Sequence, residues 1–286
     1  MASIQKKGDI MKIILSRKGF DSNIGKTTSP IFENGDMISF PIPEKETEGV
    51  SKEEFSMLQY NGIDLSELLN QLGYGRDKNQ VCHIDPDLVK DRRVQVVDGW
   101  NAIFGQCDSA AMYLNNQSVN IGDIFLFFGN FHHVTEYDKG LYKKTRKRGD
   151  FYKDNDIQVI WGYLQVGEII PKEKQQNYKW HPHSMDYYVN NKTNTMYKAN
   201  EKLSFNPNKD GYGIFKFSEH RVLTERGYSK ANWKKDQVYL ESNICGNRHN
   251  SSKKPENTIY YQGQWQELVL KESKECEDWA KKIIEE

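Results

Sequence analysis

The feature that most constrains this chain is a recurrence of short apolar and aromatic runs cut off by polar, glycine-bearing segments. Residues 12–15, 37–40, 124–128, 158–168, 195–197 and 213–217 carry the β-branched and aromatic side chains that suit a pleated, half-buried surface. Helical patterns are fewer. They fall at 51–60, at 64–72 with Asp64 as N-cap, at a small-residue stretch over 109–114, and at 274–284, where Trp279, Ile283 and Ile284 recur at helical spacing. The expectation is an α+β fold, a β-rich core with peripheral helices. At 286 residues the chain can bury a large core. Residues 11–286 read as a single domain, and the polar stretch 1–10, which precedes a second methionine at Met11, reads as a disordered leader left by an upstream start or by expression.

Charge and cysteine usage exclude several classes. With 40 basic and 40 acidic side chains the formal net charge is zero, so no global field recruits nucleic acid and any such contact must use a local patch. Cys82, Cys107, Cys245 and Cys276 are scattered without the paired spacing of a zinc ribbon or a secreted disulfide scaffold, which points to reduced thiols and a cytoplasmic location. No apolar run approaches the roughly 20 residues that span a bilayer, so a membrane is not an expected partner. A P-loop, a dinucleotide-binding glycine fingerprint and a nucleophile elbow are all absent from the sequence. Residues 137–156 are dense in Lys, Arg and Asp; they read as a solvated loop or as a nucleic-acid flap of interleaved cations and rings.

Candidate site residues cluster in a few places. The apolar strand ending in Ser16-Arg17-Lys18-Gly19 puts two cations beside a flexible glycine, suited to a phosphate or carboxylate. Asp21 follows as a base or as a partner for those cations, with Ser22 next to it. His83-Ile84-Asp85-Pro86-Asp87 places an imidazole and two carboxylates at alternating positions, an acid–base cluster or a turn that bonds its own backbone. Trp180-His181-Pro182-His183 repeats that spacing. Its two histidines need a third ligand, for which His83, Asp85 or Asp87 are the donors at hand, and with none nearby in sequence no metal is assigned. Phe104-Gly105-Gln106 feeds a helix start that favours anions, with Gln106 placed to read a base edge and Cys107 read as a small buried hydrophobe. Trp161 and Gln165 fall in a long strand segment with Gly162 and Gly167, as packing residues or as contacts to a base.

The ordered segments SRKGFDS from Ser16, SPI from Ser29, PIP from Pro41, HIDPDL from His83, FGQ from Phe104, GDIFLFFG from Gly122, VIWGYLQVGEII from Val159, WHPH from Trp180 and GQWQELV from Gly263 extend along nearly the whole chain. In these the sequence resembles the nucleotide modification associated domain 3 family, a group described as DNA base hypermodification proteins. The resemblance implies an enzyme that modifies a nucleotide, nucleoside or DNA base in a phage or phage-defence setting, with a nucleotide or nucleic acid as partner. The Gly122-Asp123 turn launching one strand, with a later strand carrying Gly162, Gly167 and Glu168, is similar to PUA-like β-barrels, which hold flipped or modified bases. That likeness favours a non-catalytic reader of modified bases instead. As an enzyme the chain is expected to use Asp21, His83 and Asp85 catalytically and Arg17, Lys18, Ser22, Gln106, Trp161, Gln165, Trp180, His181 and His183 to bind substrate. The cofactor is left unassigned. The reading requires that the regions around residues 17, 83, 106 and 181 converge on one cavity.

Overall fold

In the computed structural model the described residues are 10–20, 25, 27–44, 52–75, 79–146, 149–246, 248 and 255–286. A nine-stranded mixed sheet organises them. Its strands are β1 (Ile13–Arg17), β2 (Ser29–Ile31), β3 (Ile103–Gln106), β4 (Ile124–Asp138), β5 (Leu141–Lys144), β6 (Ile157–Ile169), β7 (Thr195–Ala199), β8 (Tyr212–Ile214) and β9 (Glu267–Val269). The order is β9-β1-β4-β6-β7-β3, with β2 and β5 also pairing β4 and β8 pairing β6. The first eleven residues of β4 are all buried, the mark of a strand covered on both faces. β1 runs parallel to it from Ile13↔Ile124 to Arg17↔Phe128, and β6 runs antiparallel.

Register slips on β6 explain its glycines. Pairing jumps from Ile160↔Phe128 to Gly162↔Phe127, leaving Trp161 as the extra residue of a bulge. A Cβ on Gly162 would lie 3.0 Å from Gly213 O, and one on Gly167 would lie 2.7 Å from Asn200 Cα. Both glycines therefore admit neighbouring backbone rather than a ligand.

The sheet curls as a half-barrel until its terminal strands β9 and β3 approach through side chains. Gln106 on β3 donates to Glu267 Oε1 on β9 at 2.7 Å. Inside the curl Phe104 meets Phe125, Phe127 and Tyr197 at ring separations of 4.8, 5.3 and 5.8 Å. Burying such rings stabilises the fold by about 1.5–3 kcal/mol each.

Helices border the sheet. In α1 (Leu65–Gln71) the Asp64 carboxylate accepts from Glu67 N–H at 2.8 Å, and Leu65, Leu68 and Leu69 are buried at helical spacing. α2 (Asp108–Asn116) follows β3. α3 (Lys274–Glu285), capped by Ser273, buries Cys276, Ala280, Ile283 and Ile284. No helix among the described residues is long and apolar enough to cross a membrane.

Three local expectations differ from the structure. Residues 52–60 form no α-helix: Phe55 N–H bonds Gln80 O and Glu53 O accepts from Cys82 N–H, so distant backbone captures groups that a helix would need. A hairpin of Gln59–Tyr60 with Ile63–Asp64 follows, turned by Asn61 and Gly62, both with positive φ. Residues 37–40 form no strand and make only an isolated bridge, Met37 to Ile31, and the Phe40 N–H that a strand would offer is taken by the Ser29 hydroxyl. Within 137–156, β4 continues to Asp138 and returns as β5 through Gly140, then a helical turn spans Phe151–Asp154, while residues 147 and 148 lie outside the described set. Charged side chains there decorate a paired hairpin rather than a loop.

Candidate functional site

The seam between β9, β1 and β3 holds a polar cleft. Past the end of β1, Lys18 N–H still bonds Phe128 O at 2.8 Å, which carries its side chain into the seam. Its Nζ lies 3.3 Å from Glu267 Oε1 and 4.4 Å above the Phe104 ring. Glu267 is fully buried and also accepts from Ser16 Oγ at 3.0 Å. A buried carboxylate in such a place needs its donors, and these three tie together the two edges of the curl. Arg17 lines the cleft while its Nη2 donates to Gly263 O at 2.9 Å. Gly19 follows at φ +85°, where a Cβ would meet Ser39 Oγ at 2.3 Å, so the chain turns there only as glycine.

The opposite wall comes from three other segments. Cys82–His83 pairs with Ile42–Pro43, which sets Glu44 beside His83. Asp85 is held by Gly105 N–H at 2.6 Å, and Gly105 has no room for a side chain because a Cβ would fall 2.2 Å from His183 Cγ. The turn Pro182–Ser184 then brings His183 against that backbone, and Asp186–Val189 adds Tyr188. The cleft so formed measures about 170 Å³ and is lined by Arg17, Lys18, His83, Asp85, Gln106, Cys107, His183 and Tyr188 among others.

Electrostatics give the groups distinct states. Burial acts to raise the Asp85 pKa, but the His181 contact, then His183 and Lys18, outweigh it and hold the carboxyl below the usual range. Burial drives the His183 imidazole down to about 3 against the pull of Asp85. At neutral pH the cleft therefore presents a carboxylate beside a neutral imidazole. Burial, then the hydrogen bond to Glu44, raise the Tyr188 pKa well above that of a free phenol. Burial and then Asp108 push the Cys107 thiol up to about 12, so it carries no thiolate and is no nucleophile at neutral pH.

The sequence-derived residues divide. Arg17, Lys18, His83, Asp85, Gln106 and His183 meet at this cleft. Gln106 spends its amide inside the protein, donating to Glu267 and accepting from Cys107 N–H, which leaves it a wall rather than a base reader. His181 is fully buried behind Asp85, its Nε2 3.4 Å from Oδ1, so it orients that carboxylate instead of touching a ligand. Gln165 is fully buried elsewhere; its amide bonds Gly122 O, Ser204 Oγ and Ser204 N–H, and no face of it reaches the cleft. Trp161 is buried and, with Met37, Pro86 and Leu88, lines a separate smaller pocket that shares Gly19 and Asp85 with the cleft, and Trp180 packs by Tyr178 against Ile103, Ile170 and Met196. Neither indole lines the cleft.

Asp87 turns away to Arg93 at 2.7 Å and Trp100 Nε1 at 3.0 Å. The helix start beyond Gln106 offers little to an anion, because Gln106 Oε1 takes Cys107 N–H and Thr193 Oγ1 takes Asp108 N–H. Asp21 and Ser22 lie outside the described residues. Glu44, Tyr188, Asn194 and Glu267 were missed in sequence. Only Glu267 had a signal, its place in the GQWQELV segment; the others are brought in by turns with no chemical pattern.

These features define a mixed α+β protein with a pre-ordered polar cleft at the seam of a curled sheet. The chain belongs to the nucleotide modification associated domain 3 family, whose sequence profile matches residues 12–271. That description ties it to nucleotide modification. No curated protein and no solved structure matches it.

Proposed function

We propose that the seam cleft binds a nucleotide, free or within DNA, and that the chain is an enzyme modifying its base. The observation that carries this reading is the meeting of Lys18 and Arg17 with His83, Asp85 and His183 around one opening. The cations suit a phosphate, and an ionised carboxylate beside a neutral imidazole suits proton transfer. A volume of about 170 Å³ is below that of pockets enclosing drug-sized ligands, roughly 300–1,000 Å³, and fits partial enclosure of a single nucleotide. The family description supports nucleotide chemistry; a DNA base as target, and a phage or phage-defence setting, follow from the sequence resemblance alone. Asp21 and Ser22 remain candidates for the same opening from sequence.

The curled half-barrel supports a second reading, a PUA-like reader of modified bases. Against it, neither indole expected to stack on a base lines the cleft, whose rings are His83, His183 and Tyr188, and Trp161 faces only an adjoining smaller pocket. Incubation with nucleotides and with DNA, followed by nucleoside mass analysis, tests the choice. A mass change abolished by His83→Ala or Asp85→Asn in folded protein supports the enzyme. Tight binding to modified DNA with no product after long incubation, lost in Trp180→Ala, refutes it.

A further inference from the structure

The cleft holds a donor set that the family description does not assign. One ligand atom each from His83, Asp85 and His183 lies within 4.8 Å of the other two. Hydrogen bonds behind them determine which atoms are left over. Asn194 donates its Nδ2–H groups to Gln175 Oε1 at 2.9 Å and to His183 O at 3.0 Å, so its Oδ1 is the acceptor facing His183 Nδ1. That nitrogen carries the proton, and the lone pair sits on Nε2. Tyr188 gives its hydroxyl proton to Glu44 Oε1, and His83 Nδ1 lies 3.2 Å from both of those oxygens. His83 is thereby also protonated on Nδ1 and free to ligate through Nε2. Asp85 is steered through its Oδ1 by Gly105 N–H, and His181, whose Nδ1 accepts from the His183 backbone N–H, stands with its Nε2 3.4 Å from that oxygen.

Two imidazoles each ordered by an oxygen behind the ring, converging with an oriented carboxylate, reproduce the outer-shell arrangement of histidine–carboxylate metal centres. We propose that His83, Asp85 and His183 bind one divalent transition-metal ion of the zinc or ferrous class, with its open position toward the side of the cleft lined by Lys18. Mixed nitrogen and oxygen donors select that class over magnesium, which prefers oxygen and water. Ligand atoms about 2.1 Å from a zinc ion sit about 3–3.5 Å apart, which three groups already within 4.8 Å of one another can reach by small side-chain movements. The proposal rests on the nucleotide reading for what the ion acts upon, and with the ion bound it replaces proton transfer by His83, Asp85 and His183, whose lone pairs are then taken by the ion.

The test uses the full chain stripped with a chelator and titrated with Co²⁺ alone. The expected result is one Co²⁺ per chain, with visible d–d absorption displaced by Zn²⁺. His183→Ala and Asp85→Ala lose that signal. Asn194→Ala and Glu44→Ala take away the acceptors behind the two rings, the first together with the Asn194 donor bonds to Gln175 and His183 O; they weaken Co²⁺ binding about 10–100-fold and carry the test if the ligand variants unfold. No Co²⁺ uptake by folded wild type, or unchanged affinity in folded His183→Ala, overturns the proposal. Titration with a nucleoside monophosphate in chelator separates the two ideas. Nucleotide binding without Co²⁺ binding refutes the ion alone, whereas Co²⁺ binding without nucleotide binding refutes the nucleotide reading and leaves the ion site standing.

Discussion

Lys18 shows how a single side chain serves structure and chemistry together. It neutralises part of the buried Glu267 charge, yet it remains at the cleft wall, where an incoming phosphate competes for its ammonium. Lys18→Met leaves Glu267 with its bonds from Ser16 and Gln106 but without the ammonium beside it, so the variant is expected to lose about 3–5 kcal/mol of stability and its affinity is read on protein shown to be folded. Its affinity for a nucleoside monophosphate should fall about 10–100-fold, the worth of one charge-assisted hydrogen bond, as read by calorimetric titration. An unchanged affinity would remove Lys18 from the site. Reading a cation at the end of a strand was possible from the sequence because Ser16-Arg17-Lys18-Gly19 is contiguous. The buried acid that holds it lies about 250 positions away in β9 and was not.

Among the elements, β3 does most to build the site. It supplies Phe104 to the interior, Gly105 to both Asp85 and His183, and Gln106 to the seam within four residues. Gly105→Ala forces a Cβ into the His183 ring and should destabilise the fold by about 1–3 kcal/mol, measured by urea unfolding. It should also abolish any ligand binding that requires His183, even where the protein stays folded. Strand existence was legible wherever apolar runs were long, as in β4 and β6, and α1 was legible from Asp64 and its leucines. The segment 52–60 was misread because its backbone partners come from residues 80 and 82, and local propensity carries no information about such pairing.

For the molecule as a whole, the aromatic interior and the buried ionisable groups set stability. Phe104→Ala opens the centre of the curl and should cost about 3–5 kcal/mol in denaturant unfolding. Acid should weaken the fold. His183 and His133 are held down to about 3 and about 4 by burial, whereas unfolded histidine titrates near 6.5. Between those values the unfolded chain binds protons that the folded chain refuses, so stability rises with pH there and is lost as pH falls from about 6.5. Asp85 has the same sign: its depressed pKa contributes stability above about 3.9 that disappears as pH drops through the folded value. Urea midpoints measured from pH 7 to pH 4 should therefore decline, and the paired substitutions His133→Gln and His183→Gln should flatten that slope. A flat profile in the unsubstituted protein would contradict the neutral, buried state of these rings.

The chain's amino-acid order by itself determined the β-rich α+β class, the family, and which short segments carry cations, imidazoles and carboxylates, since periodicity and contiguous side chains are local properties. Only the tertiary structure decided that His83, Asp85 and His183 face one another, that His181 stands behind them, and that Gln165 and both indoles turn elsewhere. The physical reason is that a curled sheet juxtaposes its two edges, and which residues meet across such a seam depends on register, bulges and turn geometry summed over the whole fold.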